Sequence, residues 1–219
     1  MQDLQVAFEQ EYGDCQRTLT EIKRIINQLT NILIMEQEKL NFNIRLAIRH
    51  SLRVLYARKK MLDFFPLTTL SEYENLSDEQ IEHIDQLVYR FQKLQDDMGT
   101  KLFKSVVANL GETEVFNKPI LEILNTLKKY GIISDNINWQ TMREIRNALA
   151  HEYLDDINSD RALLNYLFET KGLELIQIFK DILDYITTNL YSNLHEGTKI
   201  EINRFYEALA KSNFSDSKD

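Results

Sequence analysis

Helix breakers are scarce in this chain, and that scarcity sets its fold class. Six glycines and two prolines are spread through 219 residues, with the prolines at 66 and 119. The long stretches between them are rich in Leu, Ile, Glu, Gln and Lys, most of them strong helix formers. Apolar residues recur every three or four positions, the period of one helix face, and not in the alternation of a strand. The expected class is all-α: an antiparallel up-down helical bundle with additional N- and C-terminal helices.

The segments follow from this spacing. Residues 4–36 carry Leu19, Ile22, Ile25, Ile26, Leu29 and Leu33 and read as one helix or two, with Gly13 the point of interruption. Residues 38–64 form another, with Leu40, Ile44, Ala47, Ile48, Leu52, Leu55 and Leu62 as its core stripe, ended by Pro66. Residues 66–77 are a loop. Ser77-Asp-Glu-Gln80 starts a long helix in the manner of a capping box, carrying Ile81, Ile84, Leu87, Val88, Phe91, Leu94, Met98 and Leu102 and ended by Gly111. Pro119 suits the first turn of a helix to Tyr130, with Gly131 as its C-terminal cap. Asn136 or Asn138 caps the next, which turns Trp139, Met142, Ile145 and Leu149 inward. After a turn at 155–159, one long helix runs to about Leu190 and a last one from Lys199 to Ala210. The division is an N-terminal extension (1–37), a bundle (38–190), and a C-terminal helix with a frayed tail (191–219).

Composition narrows the function. Net charge is −8, so the chain is no generic nucleic-acid binder, and any RNA must meet a local basic surface. The single cysteine, Cys15, excludes an intrachain disulfide framework and a zinc site built of several cysteines, and suits a reducing cytoplasm. No apolar run approaches the ~20 residues that span a bilayer. The first residues, Met-Gln-Asp-Leu-Gln-Val, have neither the charged nor the apolar region of a signal peptide. A cytoplasmic, non-membrane protein is expected.

Arg143-Glu-Ile-Arg-Asn-Ala-Leu-Ala-His-Glu-Tyr153 is the stretch most suggestive of chemistry. Cleaving a phosphodiester takes a cation to hold phosphoryl oxygens as charge builds, and a group that moves protons near neutral pH. Arg146 offers a fixed fork of donors for the first task, and His151 suits the second. Asn147 precedes His151 by four residues and can orient the ring or a phosphate oxygen. Arg143, Asn147 and His151 share one helical face, whereas Arg146 lies roughly 140° from His151 at about 100° per residue. Arg146 reaches His151 only through its long side chain, a helix end or a partner protomer, and the helix is expected to loosen between His151 and Asp155 to expose Tyr153. The bland alternative is a histidine that caps carbonyls or pairs with Glu152 or Asp155, beside a salt-bridging arginine.

This stretch resembles the signature of HEPN-superfamily ribonucleases, in particular the R-x4-H-x-Y motif of HepT-type toxins, matched by Arg146, Asn147, His151 and Tyr153. A second stretch, Tyr89-Arg-Phe-Gln-Lys-Leu-Gln-Asp-Asp-Met-Gly-Thr-Lys-Leu-Phe103, resembles the RF-x-KLQD-x-MG-x-KLF helix of HEPN proteins encoded beside a nucleotidyltransferase. The resemblance spans roughly residues 40–190. It implies a HEPN-like bundle forming a homodimer, in which an arginine of one chain can serve the histidine of the other. It further implies a metal- and cofactor-independent endoribonuclease toxin acting on tRNA or mRNA, with Arg146, Asn147 and His151 catalytic. Its antitoxin would be an MNT-type nucleotidyltransferase that transfers AMP to Tyr153 (AMPylation), setting negative charge and bulk beside Arg146. The alternative is a non-catalytic helical module that binds RNA, a nucleotide or that nucleotidyltransferase.

Asp96 matches the KLQD element and is a candidate support for the site, as is Arg143, although Lys93 and Asp96 also read as an ordinary solvated pair. His50, His83 and His195 read as surface histidines. Arg45, Arg49 and Arg53 repeat every fourth residue in a stretch free of acids and form a candidate RNA-binding stripe. Each like-charge pair at that spacing costs about 0.2–0.5 kcal/mol in an isolated helix, so either phosphates or the acidic residues of 72–85 should compensate.

Overall fold

A computed structural model describes residues 2–135, 137–150 and 157–212, and everything described is helix or short connection. The helices are α1 (Gln2–Met61), α2 (Leu70–Glu74), α3 (Asp78–Asp97), α4 (Phe103–Asn109), α5 (Ile120–Lys129), α6 (Trp139–Ala150), α7 (Ile157–Tyr166), α8 (Gly172–Asn189) and α9 (Glu196–Lys211). A π turn at Met98–Leu102 joins α3 to α4, and another at Leu167–Lys171 joins α7 to α8. Among the described residues no helix is long and apolar enough to cross a membrane.

Cross-chain bonds fix the up-down order. Asn43 donates to Ser105 and His50 faces Asp97, so the α3–α4 rod runs antiparallel to α1. Val54 lies beside Gly172 and Arg58 donates to the Phe168 carbonyl, so the α7–α8 rod also opposes α1. Phe179 meets Phe205 at 5.3 Å as α9 returns along α8. Arg146 reaches Gln95 while Trp139 packs on Phe103, which sets α6 antiparallel to α3. The enclosed core includes Phe91, Phe103, Phe179 and Phe205, each fully buried.

The stop signals act where their chemistry says they should. Ser77 and Gln80 form a reciprocal capping box, and Asn138 accepts from the Thr141 N–H; Asn136 lies outside the described residues. Gly111 and Gly131 take φ of 89° and 67°, a left-handed region that glycine enters without steric cost. Pro119 immediately precedes α5.

Four readings need correction. α1 is one helix of 60 residues, unbroken at Gly13 and at the 37/38 boundary. A glycine costs a helix only about 1 kcal/mol, and nothing before Pro66 removes a backbone donor. What changes near residue 38 is burial: side chains from Cys15 to Ile34 are exposed, whereas Leu40 and Ile44 are enclosed. Beyond Ile48 the enclosed stripe runs through Val54, Ala57 and Met61, leaving Leu52 and Leu55 half-buried and Leu62 exposed. The 66–77 loop contains α2, capped by Thr69 and Glu72. Leu67 is held to α7 by two bonds with the Asn165 amide. Finally, His50 is buried. It lies three residues after Ala47 and four before Val54, on the face those two bury.

The point where α1 enters the body is tied by asparagines. Asn41, fully buried, donates to the Asn193 carbonyl and accepts from the His195 N–H, both at 2.8 Å. Asn193 donates to Asn109, which donates to the Glu36 carbonyl.

Candidate functional site

The two sequence segments singled out above meet in space. Arg146 sits in the third turn of α6, half-buried against α3. Its Nε donates to the Gln95 side-chain oxygen at 3.3 Å, and one terminal nitrogen lies 2.8 Å from Asp96 Oδ1. Gln95 is itself buried, so the guanidinium is held from beneath by a neutral amide and from the rim by a carboxylate. Asp96 is therefore a direct, partly exposed partner of Arg146 and not of Lys93.

The close approach of α6 to α3 has a specific cause. Gly99 offers no side chain where the Trp139 ring lies down. A β-carbon there would stand 3.0 Å from the ring. Trp139 also packs on Phe103, with ring centroids 4.7 Å apart. The π turn begins at Met98, one residue before that glycine; such turns frequently mark functional positions. Sequence reasoning named neither Gln95 nor Trp139 for the site, although Gln95 lies inside the quoted KLQD element.

Gln95, Asp96, Gly99, Thr100, Arg143 and Arg146 border a cleft of about 160 Å³. Arg143 is exposed and lies one turn from Arg146, so two guanidinium groups flank the opening. An anion entering here would meet both. Asn147 is exposed and not among the cleft's lining residues. His151 and Tyr153 lie outside the described residues, which on α6 end at Ala150.

A second basic surface occupies the α1–α3 side. Arg45 is half-buried, and Arg49 and Arg53 are exposed. Among the described residues none of the three forms an ion pair with a carboxylate. Glu72 is spent on capping Thr68 and Thr69, and Glu79 faces His83. Arg49, Arg90 and Lys93 all act on the buried His50, which also lies 3.4 Å from Asp97. Burial holds the His50 imidazole below its usual range, against the pull of Asp97 and with the help of those three cations. Lys93 precedes Asp96 by three residues and Asp97 by four, so it stands on the crest between this surface and the Arg146 cleft. His83 is half-buried beside Glu79, and His195 is exposed beside Glu38.

Compared with known proteins, the chain matches no family model, no curated protein and no solved structure.

Proposed function

We propose that this protein is a HEPN-type, metal-independent endoribonuclease acting as the toxin of a toxin–antitoxin pair. One observation carries the reading: Arg146 of the R-x4-H-x-Y stretch is bonded to Gln95 and Asp96 of the second stretch, so two independently resembling segments contribute to one cleft. In the proposed reaction His151 takes the proton of an RNA 2′-hydroxyl as its oxygen attacks the adjacent phosphorus. The bond from phosphorus to the 5′-oxygen breaks, that oxygen takes a proton from water and His151 returns its own to the hydroxide so formed, leaving a 2′,3′-cyclic phosphate and a 5′-hydroxyl. Arg146 stabilises the charge of the pentacovalent phosphorus, Arg143 adds a second cation, and Asn147 orients the partners. A homodimer would bring a second copy of the motif to the site. AMP placed on Tyr153 by a nucleotidyltransferase antitoxin would compete for the Arg146 guanidinium.

The test is cleavage of total RNA by the purified protein in EDTA, beside Arg146→Ala and His151→Ala, with expression of each in a bacterial host. Cyclic-phosphate ends and growth arrest from the wild type alone are expected. A folded His151→Ala variant that cleaves as well as wild type would refute the catalytic assignment. A second reading, RNA binding without cleavage, is favoured by Arg45, Arg49 and Arg53, none of which forms an ion pair among the described residues. It predicts salt-dependent RNA retention that falls when these arginines are replaced, with no cyclic-phosphate product.

A further inference from the structure

The free half of α1 carries an apolar seam that the rest of the molecule does not use. Leu19, Ile22, Ile26, Leu29 and Leu33 are 45%, 47%, 54%, 60% and 55% exposed. With Tyr12 and Cys15 they step by three and four residues in strict alternation, a seven-residue repeat. An undistorted helix drifts by about 20° per seven residues from such a repeat. A stripe meant for a flat surface would follow the 3.6-residue turn, whereas a stripe that holds to seven follows another helix winding around it.

The remaining faces fit that partner. From Arg17 to Asn31 the side away from the seam is polar, with Arg17, Arg24 and Asn31 outermost and Arg24 paired to Glu21 at 2.6 Å, and the exposed Ile34 and Met35 close it. Beside the stretch from Cys15 to Leu33 stand Gln16, Thr18, Lys23, Ile25, Thr30 and Ile32, with no carboxylate among them. Two copies of a chain of net charge −8 can therefore meet here without facing acids. The seam stops where the body begins: the next position is Glu36, bonded to Lys39, and the one after is the enclosed Leu40. The seam from Tyr12 to Leu33 is about 33 Å long at 1.5 Å per residue. The rod is continuous with the buried part of α1, so pairing orders little that is not already ordered.

We propose that this segment forms a coiled coil with the same segment of a second copy of the chain, making α1 the dimerisation arm. The inference does not depend on the ribonuclease reading. Sedimentation equilibrium of the full-length protein tests it, comparing wild type with Ile22→Asp/Leu29→Asp and with Asn27→Asp/Asn31→Asp, which adds the same charges to the opposite face. At micromolar concentration the wild type and the outer-face variant are expected at twice 25.9 kDa, and the seam variant at 25.9 kDa. Fluorescence of the sole tryptophan, Trp139 in the body, should show the same unfolding midpoint in all three. A monomeric wild type, or a seam variant that keeps the wild-type mass, overturns the proposal.

Discussion

Replacing Gly99 by alanine asks whether α6 is seated on α3 through that missing side chain. In a helix the change alone is favourable, by up to about 1 kcal/mol. Here the added β-carbon would stand 3.0, 3.3 and 3.4 Å from three atoms of the Trp139 ring. The ring has nowhere to retreat: it is 4% exposed and backed by Phe103 at 4.7 Å. Forcing a carbon into a packed contact of this kind costs about 1–3 kcal/mol. Set against a propensity gain of about 1 kcal/mol, the net loss is about 0–2 kcal/mol, or up to roughly 8 °C in Tm for a chain of this size. Scanning calorimetry reads it, and the Trp139→Phe background supplies the decisive comparison. Phenylalanine lacks the part of the ring that the new carbon would strike, so in that background Gly99→Ala should raise Tm. An alanine that stabilises the otherwise wild-type protein, or one that costs the same in both backgrounds, would refute the account of how the cleft is built.

Two further outcomes follow from buried polar groups. Asn41→Ala leaves the Asn193 carbonyl and the His195 N–H without the partner they share. Each lost hydrogen bond is worth about 0.5–1.5 kcal/mol, so Tm should drop by several degrees and amide exchange should rise first at the start of α9. Asn41→Asp, which keeps the acceptor but not the donor, should fall between. His50 governs part of the acid sensitivity. Because burial holds its folded pKa below the unfolded value, its contribution is intact above about pH 6.5 and is lost as pH falls and the unfolded chain takes the proton. His50→Gln should therefore flatten the decline of Tm between about pH 7 and pH 5, whatever it does to Tm at neutrality. Asp97, Arg90, Lys93 and Arg49, the charges acting on this ring, remain in the variant. An unchanged slope would show that His50 titrates alike in both states.

The fold was legible because its signals are local. Capping at Ser77 and the left-handed glycines at 111 and 131 need no tertiary contact to act, and helical spacing marks most of the core by period alone. The failures came where tertiary packing chose between equal patterns. Leu52 and Leu55 are as well spaced as Val54 and Ala57, and only the seating of α3 and α8 on α1 decides which pair is enclosed. Part of the site was legible in the sequence, Arg146 by its residue type and Asp96 by the resemblance of its KLQD element, whereas spacing alone set Asp96 in a solvated pair with Lys93. The contact of Arg146 with Asp96 was not legible, because it depends on α6 lying antiparallel on α3, which depends in turn on Gly99 and Trp139. A glycine in mid-helix reads as a weak point in a sequence; that it is a landing place for a ring forty residues away is visible only in three dimensions.

The Arg146–Asp96 pair poses a physical question for the proposed chemistry, since a guanidinium already bound to a carboxylate is not obviously free for phosphate. Exposure answers it. The two side chains are 30% and 40% exposed, and ion pairs in such settings contribute about 0–1 kcal/mol. A phosphodiester oxygen that replaces Asp96 forfeits little. The Nε–Gln95 bond, made from a buried and neutral amide, need not break in the exchange. Gln95 thus fixes where the guanidinium stands, and in the proposed reaction Asp96 would hold its outer edge until phosphate replaces it. Asp96→Asn should then weaken the outer hold without displacing Arg146, leaving Tm nearly unchanged while phosphate or RNA affinity rises. Gln95→Leu should do the opposite, releasing the guanidinium from its seat and lowering affinity. Titration of both variants with a short RNA, followed by fluorescence anisotropy, separates the two roles; equal effects of the same sign would mean that Arg146 is not positioned from beneath.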